Sequence, residues 1–122
     1  MRQPVYVLDR VRRRLVKEGI LEGCHRRRWR LFALHVRLTH VHAVIRATGP
    51  PRRIRDALKS FASRRLNQAG VDAPSRVRWT RGGSARHLFT ARAVGWAIDY
   101  VLNRQGPPLE IYEDTSEEIE TE

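Results

Sequence analysis

The first part of the chain alternates apolar and basic positions at the spacing of an amphipathic helix. Four apolar side chains recur at roughly helical intervals, with basic residues between them: Val11, Leu15, Ile20 and Cys24. Asp9 stands just before this stretch, and its side chain suits a helix N-cap. The pattern predicts a first helix over residues 9–27.

Two later segments have the same helical pattern. After the Gly-Pro-Pro break at residues 49–51, one apolar face ends near Gly70 and consists of Ile54, Leu58, Phe61, Ala62 and Leu66. Thr90 is placed to cap a last helix, whose predicted buried side comprises Ala93, Val94, Ala97, Ile98 and Val101. These patterns predict a second helix before Gly70 and a third after Thr90.

Between the first two helices the period changes to that of β-strands. Residues 30–36 and 38–45 are rich in Leu, Val, Ile and Phe, and each run is too short for a separate helix. Two strands joined by a tight turn near Arg37 fit this pattern best. Residues 77–80 are predicted to form a further short strand, and only residues 5–8 could supply an opening strand.

The order of these elements predicts an α+β fold, with an antiparallel sheet and helices packed on one face. A ferredoxin-like arrangement of this kind normally begins with another strand, so the opening strand is expected to be short or missing. One domain is predicted over residues 1–109. The acidic segment 110–122, which follows a Gly-Pro-Pro stretch, is predicted to be a mobile, disordered tail.

The charge of the chain is strongly positive and unevenly distributed. The 122 residues include 24 Lys and Arg, of which 22 are Arg, against 13 Asp and Glu. Seven of the acidic residues lie in the last 13, so residues 1–109 have a formal charge of +18. Arginine binds phosphate through two parallel donors and stacks on bases. This composition favours nucleic acid as the partner.

Composition also excludes several classes of protein. No apolar run approaches the roughly 20 residues that a membrane-spanning helix needs, and the start of the chain lacks the order of a signal peptide. A cytoplasmic protein without a membrane partner is therefore expected. Cys24 is the only cysteine, which excludes an intrachain disulfide and a Cys-rich zinc site.

Two histidines two residues apart are the clearest chemical feature. On a strand, His40 and His42 would lie on one face, about 6.6 Å apart at the backbone. The residues between and after them would face the apolar core. Two imidazoles so placed suit a divalent metal ion, although histidines on a strand face are more often ordinary surface residues.

Several segments around this pair resemble, in the same order, the single-tyrosine transposases of the HUH nuclease superfamily, including the REP-associated group. The histidine-hydrophobic-histidine motif itself is formed by residues 40–42. The other segments that are similar to the family are residues 29–36 (WRLFALHV), 58–67 (LKSFASRRLN), 79–89 (WTRGGSARHLF) and 97–106 (AIDYVLNRQG). The resemblance covers about residues 5–109.

The resemblance implies a metal-dependent enzyme that cleaves and rejoins single-stranded or hairpin DNA. His40 and His42 would hold Mg²⁺ or Mn²⁺, and Tyr100 would be the nucleophile that forms a 5′-phosphotyrosine. Gln105 is the implied third metal ligand, with Asn103 as an alternative and Arg104 at the position where relatives often have this ligand. A homodimer is also implied, since relatives often act as dimers.

Other interpretations of the same residues remain open. Tyr100 could instead be an aromatic residue at the edge of the buried face of its helix. His35 could extend the histidine cluster or lie on the sheet surface. Thr39 departs from the family, which commonly has Asn before the first histidine. The alternative function is a decayed or domesticated protein that binds a DNA hairpin without cutting it. An RNA-binding module is disfavoured because the strands lack closely spaced aromatics. The charge pattern further suggests that the acidic tail shields the basic face when DNA is absent.

Overall fold

A computed structural model of the chain describes residues 2–79 and 83–116. Within these ranges the elements are α1 (Arg10–Arg27), β1 (Arg30–Val36), β2 (Val41–Arg46), α2 (Pro51–Ala69), α3 (Ala91–Asn103) and β3 (Glu110–Glu113). Three helices and an antiparallel sheet confirm the predicted α+β class, and the arrangement is compatible with a ferredoxin-like fold. None of the described helices is long and apolar enough to cross a membrane.

The helices begin and end at residues whose side chains or backbone conformations cap them. Asp9 accepts a hydrogen bond from the backbone amide of Arg12 at 2.9 Å, so α1 begins where the sequence predicts. Thr90 Oγ1 accepts a hydrogen bond from the amide of Ala93 at 3.0 Å and caps α3 in the same way. Gly70 ends α2 in the left-handed conformation, at φ 66°, which glycine adopts without steric cost.

β1 is the central strand of a sheet with the order β2-β1-β3. Leu34 of β1 lies opposite Ala43 of β2 and Tyr112 of β3. His35 is the next residue of β1 and faces the other side of the sheet, where it lies opposite His42. The two faces of the sheet therefore have different chemistry, one apolar and one containing histidines.

Helices cover both of these faces. α1 and α2 pack together on one side, where Leu34 and Val36 join the main core. α3 packs on the opposite side, where Val101 and Leu102 contact Ala33 in a second, smaller core. The packing of α1 and α2 agrees with the prediction of helices on one face, whereas α3 differs from it. β1 has buried apolar residues on both of its faces, so both must be covered.

Two glycines of α1 allow α2 to approach closely. A Cβ atom at Gly19 would lie 2.6 Å from the carbonyl oxygen of Phe61, and one at Gly23 would overlap the ring of the same residue. Both glycines are buried in the contact between α1 and α2. The close approach of the helices therefore depends on the absence of side chains at these two positions.

The segment after Leu109 forms a strand, so the prediction of a mobile tail from residue 110 is wrong for residues 110–113. The alternating pattern of a strand was concealed by the acidic composition of this segment. Tyr112 packs against the main core, and the backbone of β3 pairs with β1. Residues 117–122 of the predicted tail lie outside the described ranges.

Ion pairs hold the acidic side chains at the two ends of β3. Lys17 Nζ of α1 lies 2.7 Å from a carboxylate oxygen of Glu110. Arg30 Nε of β1 lies 2.9 Å from a carboxylate oxygen of Asp114. These side chains are half-buried or nearly buried, so the pairs fix the ends of β3 against α1 and β1.

One predicted strand is absent from the described residues. The backbone of residues 77–79 is irregular, and Thr80 lies outside the described ranges. Long-range side-chain contacts hold this segment instead, because Gln3 Oε1 accepts a hydrogen bond from the amide of Val77 at 3.0 Å. Residues 5–8 do not form a strand, which agrees with the expectation that the opening strand is short or missing. The amide of Leu8 donates one hydrogen bond, of 2.7 Å, to the carbonyl of Leu38.

A buried carboxylate ties the start of the chain to the segment after α2. Asp72 accepts hydrogen bonds from the hydroxyl of Tyr6 at 2.6 Å and from Nε of Arg78 at 3.0 Å. The guanidinium of Arg12 also binds this carboxylate, at 2.9 Å. Only 7% of the Asp72 side chain is exposed, so the negative charge is compensated almost entirely by these three residues.

Candidate functional site

The two histidines of the predicted motif lie side by side at the start of β2. His42 belongs to the strand, whereas His40 precedes it, because β2 begins at Val41 and not at residue 38 as predicted. A hydrogen bond of 2.8 Å from the amide of Arg37 to the carbonyl of His40 closes the turn between the strands. The two imidazole rings are nearly parallel, at 16°, with their centroids 6.3 Å apart.

The surroundings of this pair favour neutral imidazole at His42. Burial lowers the pKa of His42, and the nearby positive groups of His40 and Arg37 lower it further. A neutral imidazole retains a lone pair, which a metal ligand requires. His40 is exposed, and its Nδ1 lies 3.0 Å from the hydroxyl of Thr39. That contact leaves Nε2 of His40 as the ring nitrogen open to an ion.

His35 is a structural residue and not a third ligand. Its side chain is fully buried and lies on the same face of the sheet as His42, its cross-strand partner. Nδ1 of His35 donates to the carbonyl of Val101 at 3.3 Å, and Nε2 accepts from the amide of Leu109 at 3.2 Å. Burial lowers the pKa of this imidazole. Both ring nitrogens are occupied, so His35 does not extend the metal site.

The helix that contains Tyr100 packs on this histidine face. Val101, the next residue of α3, is buried against the sheet and accepts the hydrogen bond from His35. Tyr100 lies on the flank of the helix and is 55% exposed. Its hydroxyl is therefore open to solvent, on a helix that packs on the sheet face to which His42 belongs.

The three residues considered as a further metal ligand lie at and just after the end of α3. Asn103 Nδ2 and Arg104 Nε both donate to the carboxylate of Asp99, at 2.9 and 3.0 Å. Gln105 is half-buried, and its amide makes no hydrogen bond within residues 2–79 and 83–116. The amide oxygens of Gln105 and Asn103 are therefore both open to an ion, whereas Arg104 has no side-chain oxygen.

The fit to a divalent ion rests on an incomplete set of protein ligands. Among the described residues, no three His, Cys, Asp or Glu side chains could hold one metal ion together. His40 and His42 provide two nitrogen ligands, and the amide oxygen of Gln105 is a candidate third. Water and a phosphate oxygen of the substrate are ordinary ligands for the remaining positions of Mg²⁺.

Arg37, which was not among the residues predicted for the site, contributes positive charge to it. The Nε atom of Arg37 is buried and has no hydrogen-bond partner among the described residues. Its Nη2 atom lies 3.5 Å from the position that a Cβ atom of Gly106 would occupy, so the guanidinium reaches the segment after α3. The same positive charge lowers the pKa of both His35 and His42. The sequence gives no signal that would distinguish Arg37 from the other 21 arginines.

Most acidic residues in the described ranges are already paired with a base. Their partners are in α1, β1, α2 and the segment after α3, and the paired acids are Asp9, Glu18, Asp56, Asp72, Asp99, Glu110 and Asp114. Because these carboxylates are occupied, they compensate only part of the positive charge of the described residues. Within the described ranges, a polyanion would meet an excess of positive charge.

No family model matches this chain, and no curated protein and no solved structure shows significant similarity to it.

Proposed function

We propose that this protein is a metal-dependent nuclease and strand transferase of the HUH tyrosine type, which acts on single-stranded or hairpin DNA. The observation that supports this function best is the packing of α3, which contains Tyr100, on the sheet face that contains His42. A nucleophile and a pair of metal-binding imidazoles are thus contributed by adjoining elements. Excess arginine provides the surface for the DNA backbone.

In the proposed reaction, the hydroxyl oxygen of Tyr100 attacks the phosphorus of a phosphodiester and its proton passes to water. The bond from phosphorus to the 3′ oxygen breaks, and this oxygen takes a proton from water, which leaves a free 3′ hydroxyl and a 5′-phosphotyrosine. Attack of another 3′ hydroxyl on this intermediate reverses the step and joins two strands without a nucleotide cofactor. The exposed position of Tyr100 suits attack on an extended single strand.

His40, His42 and Gln105 are the residues that would hold Mg²⁺ or Mn²⁺. The ion would act as a Lewis acid on the phosphate and fix its orientation. Arg37 would bind a non-bridging oxygen of the same phosphate, because its guanidinium has an unpartnered nitrogen and lies beside His42 and Gly106. The proposal further includes a homodimer and action in the cytoplasm, as the resemblance and the composition suggest.

The test is the formation of a covalent adduct between the protein and end-labelled DNA. Single-stranded oligonucleotides with a hairpin are incubated with the protein and Mg²⁺ or Mn²⁺, and the products are separated on a denaturing gel. We expect an adduct that requires metal and disappears in Tyr100→Phe and in His40→Ala/His42→Ala. His25→Ala and His87→Ala alter exposed histidines outside the site and should leave the adduct unchanged.

A second candidate function is a hairpin-binding protein that does not cut DNA. The incomplete ligand set favours it, because no third His, Cys, Asp or Glu joins the pair in the part of the chain that the structure describes. Tight binding of hairpins, with no adduct under either metal and with equal affinity for the wild type and the Tyr100→Phe variant, would decide for this second function.

A further inference from the structure

The outward face of α3 contains an exposed aromatic side chain between charged residues. Trp96 is 73% exposed, although tryptophan is usually at least half-buried in a folded domain. Arg92, Gly95, Asp99 and Arg104 line a shallow surface cavity of about 240 Å³ together with Trp96. Their spacing along the chain puts most of them on a single stripe of the helix. We call this group of five residues the Trp96 cavity.

Gly95 lines the Trp96 cavity without a side chain that would fill it. A Cβ atom built at this position would meet no atom within 4 Å, so no neighbour requires glycine here. Glycine inside a helix costs about 1 kcal/mol of stability relative to alanine. Packing of α3 does not offset this loss of helix stability at Gly95. At the two glycines of α1, by contrast, close packing against α2 offsets it. A ligand that approaches the helix backbone closely would account for Gly95.

The charges around the Trp96 cavity suit an anionic ligand. Arg92 is exposed and makes no ion pair or hydrogen bond within the described ranges. The only acid in the cavity, Asp99, already accepts hydrogen bonds from Asn103 and Arg104. A free guanidinium beside an exposed indole is the combination with which proteins bind single-stranded nucleic acid, by stacking on bases and pairing with phosphates.

The position of the cavity relates it to the proposed nucleophile. Trp96 and Tyr100 are four residues apart, which corresponds to about 6 Å along the helix axis. Both are exposed, and they lie on the same side of α3. A strand that reaches Tyr100 along the helix would therefore pass over Trp96.

We propose that the Trp96 cavity is a subsite for single-stranded DNA, in which one base stacks on Trp96 and Arg92 binds an adjacent phosphate. The direction toward Tyr100 rests on the proposed function, whereas the binding of DNA by this cavity does not require cleavage. A second copy of the chain is the competing occupant. Its recognition would depend on burial of the whole Trp96 side chain in the interface and not on the stacking of a base.

Binding is measured with the full chain, in the Tyr100→Phe background so that no covalent step occurs. The two probes are a fluorescent twelve-nucleotide oligothymidylate and an abasic oligonucleotide of the same length, which has the phosphates without the bases. We expect Trp96→Leu to weaken binding of the oligothymidylate by roughly 5- to 150-fold, the range for loss of one stacked base. Trp96→Phe retains a ring and should recover most of the affinity. Neither change should alter binding of the abasic probe.

A matched pair of arginine substitutions tests the phosphate contact. Arg92→Gln should weaken binding of both probes and reduce the dependence of affinity on salt. Arg10→Gln removes the same charge from an exposed position on α1, on the other side of the sheet, and should have a smaller effect. Equal effects of the two substitutions would contradict a specific role of Arg92.

The outcomes separate this inference from the proposed function. If Trp96→Leu weakens binding of the oligothymidylate but the wild type forms no adduct, the cavity binds DNA and the proposal of cleavage fails. If an adduct forms and Trp96→Leu binds both probes like the parent, the subsite is wrong and the proposed reaction stands. If Trp96→Leu and Trp96→Phe convert a dimer to a monomer by sedimentation without a change in affinity for DNA, the cavity is an interface between copies and the inference is overturned.

Discussion

Nδ1 of His35, on the central strand, donates a hydrogen bond of 3.3 Å to the carbonyl of Val101, near the end of the last helix. Carbonyl groups in the last turn of a helix lack hydrogen-bond partners within the helix, and His35 is the donor to one of these carbonyls. The other ring nitrogen of His35 accepts a hydrogen bond from the backbone amide of Leu109. A single side chain therefore holds the end of α3, and the segment that follows it, on β1.

Substitution of His35 tests this relationship. His35→Ala leaves the buried carbonyl of Val101 without its partner, which costs about 1–3 kcal/mol, and it also removes the partner of the part-buried amide of Leu109. We expect the free energy of unfolding to fall by about 1–3 kcal/mol, measured by urea titration at neutral pH. His87→Ala removes an exposed imidazole and should change stability little. Similar losses in both variants would show that His35 has no special role.

The buried carboxylate of Asp72 predicts a dependence of stability on pH. Burial alone would raise its pKa, but hydrogen bonds from Tyr6, Arg12 and Arg78 outweigh burial and hold the pKa below its ordinary value. A depressed carboxyl pKa stabilises the folded state at pH values above the unfolded pKa, near 4. This stabilisation is lost as the pH falls through the folded pKa.

We expect Asp72→Asn to lower the free energy of unfolding by about 3–5 kcal/mol at pH 7, the usual cost of breaking a buried ion pair. The difference from the wild type should shrink as the pH falls below about 4, because the wild-type carboxylate is then protonated too. Asp56→Asn alters an exposed carboxylate, 59% accessible, as the control. A difference that stays constant from pH 7 to pH 2 would contradict the role of ionised Asp72.

Alanine substitutions at two helical glycines should have opposite effects. Gly23→Ala puts a methyl group into the ring of Phe61, and we expect a loss of about 1–3 kcal/mol from overpacking. Gly95→Ala meets open space and should stabilise the protein by up to about 1 kcal/mol through helix propensity. Urea unfolding of both variants measures the two signs. A gain in Gly23→Ala would show that α1 and α2 are less closely packed than described.

Truncation tests whether β3 belongs to the domain. A chain that ends at Leu109 lacks Tyr112, whose contacts with the main core are worth about 2 kcal/mol, and exposes one edge of β1. We therefore expect a lower unfolding midpoint, measured by circular dichroism. A chain that ends at Ser116 retains β3 and should unfold like the wild type. Equal midpoints for the two truncations would restore the interpretation of residues 110–113 as a mobile tail.

Substitution of Arg37 tests its proposed contact with the scissile phosphate. Arg37→Gln should lower the rate of adduct formation by roughly 100-fold or more, the effect of removing one charge-stabilising donor from a reacting site. Arg26→Gln removes the same charge from an exposed position at the other end of α1 from the contact between Leu8 and Leu38, and it should leave the rate nearly unchanged. Urea unfolding of Arg37→Gln verifies that it is folded. Equal rates in a folded Arg37→Gln variant would exclude the contact.

The helices were predictable because the residues that limit them act locally. Asp9, Thr90 and Gly70 cap their helices through atoms within a few residues, and the predicted bounds of α1 agree with the structure to within one residue. Strands were predicted less well because their pairing depends on distant residues. β3 is acidic, and it is held by Lys17 and Arg30, which precede its first residue by 80 residues or more.

Only the part of the candidate site that depends on the spacing of residues close together in the sequence was predictable. The adjacency of His40 and His42 follows from their separation by one residue, and their rings do lie side by side. The full burial of His35 depends on α3 and on Leu109, which no local pattern reveals. The same holds for Arg37, whose position beside Gly106 results from the packing of the segment after α3.

The place of β1 at the centre of the sheet has a consequence for the nascent chain. Leu109, which completes the hydrogen bonds of His35, is synthesised 74 residues after it. At ordinary translation rates of about 5–20 residues per second, this interval lasts roughly 4–15 s. During that time β1 can pair with β2, while the edge of β1 that later pairs with β3 and the imidazole of His35 remain uncovered. Until residues 109–113 are made, the hairpin of β1 and β2 thus has an unpaired edge, at which chaperones or other nascent chains can bind.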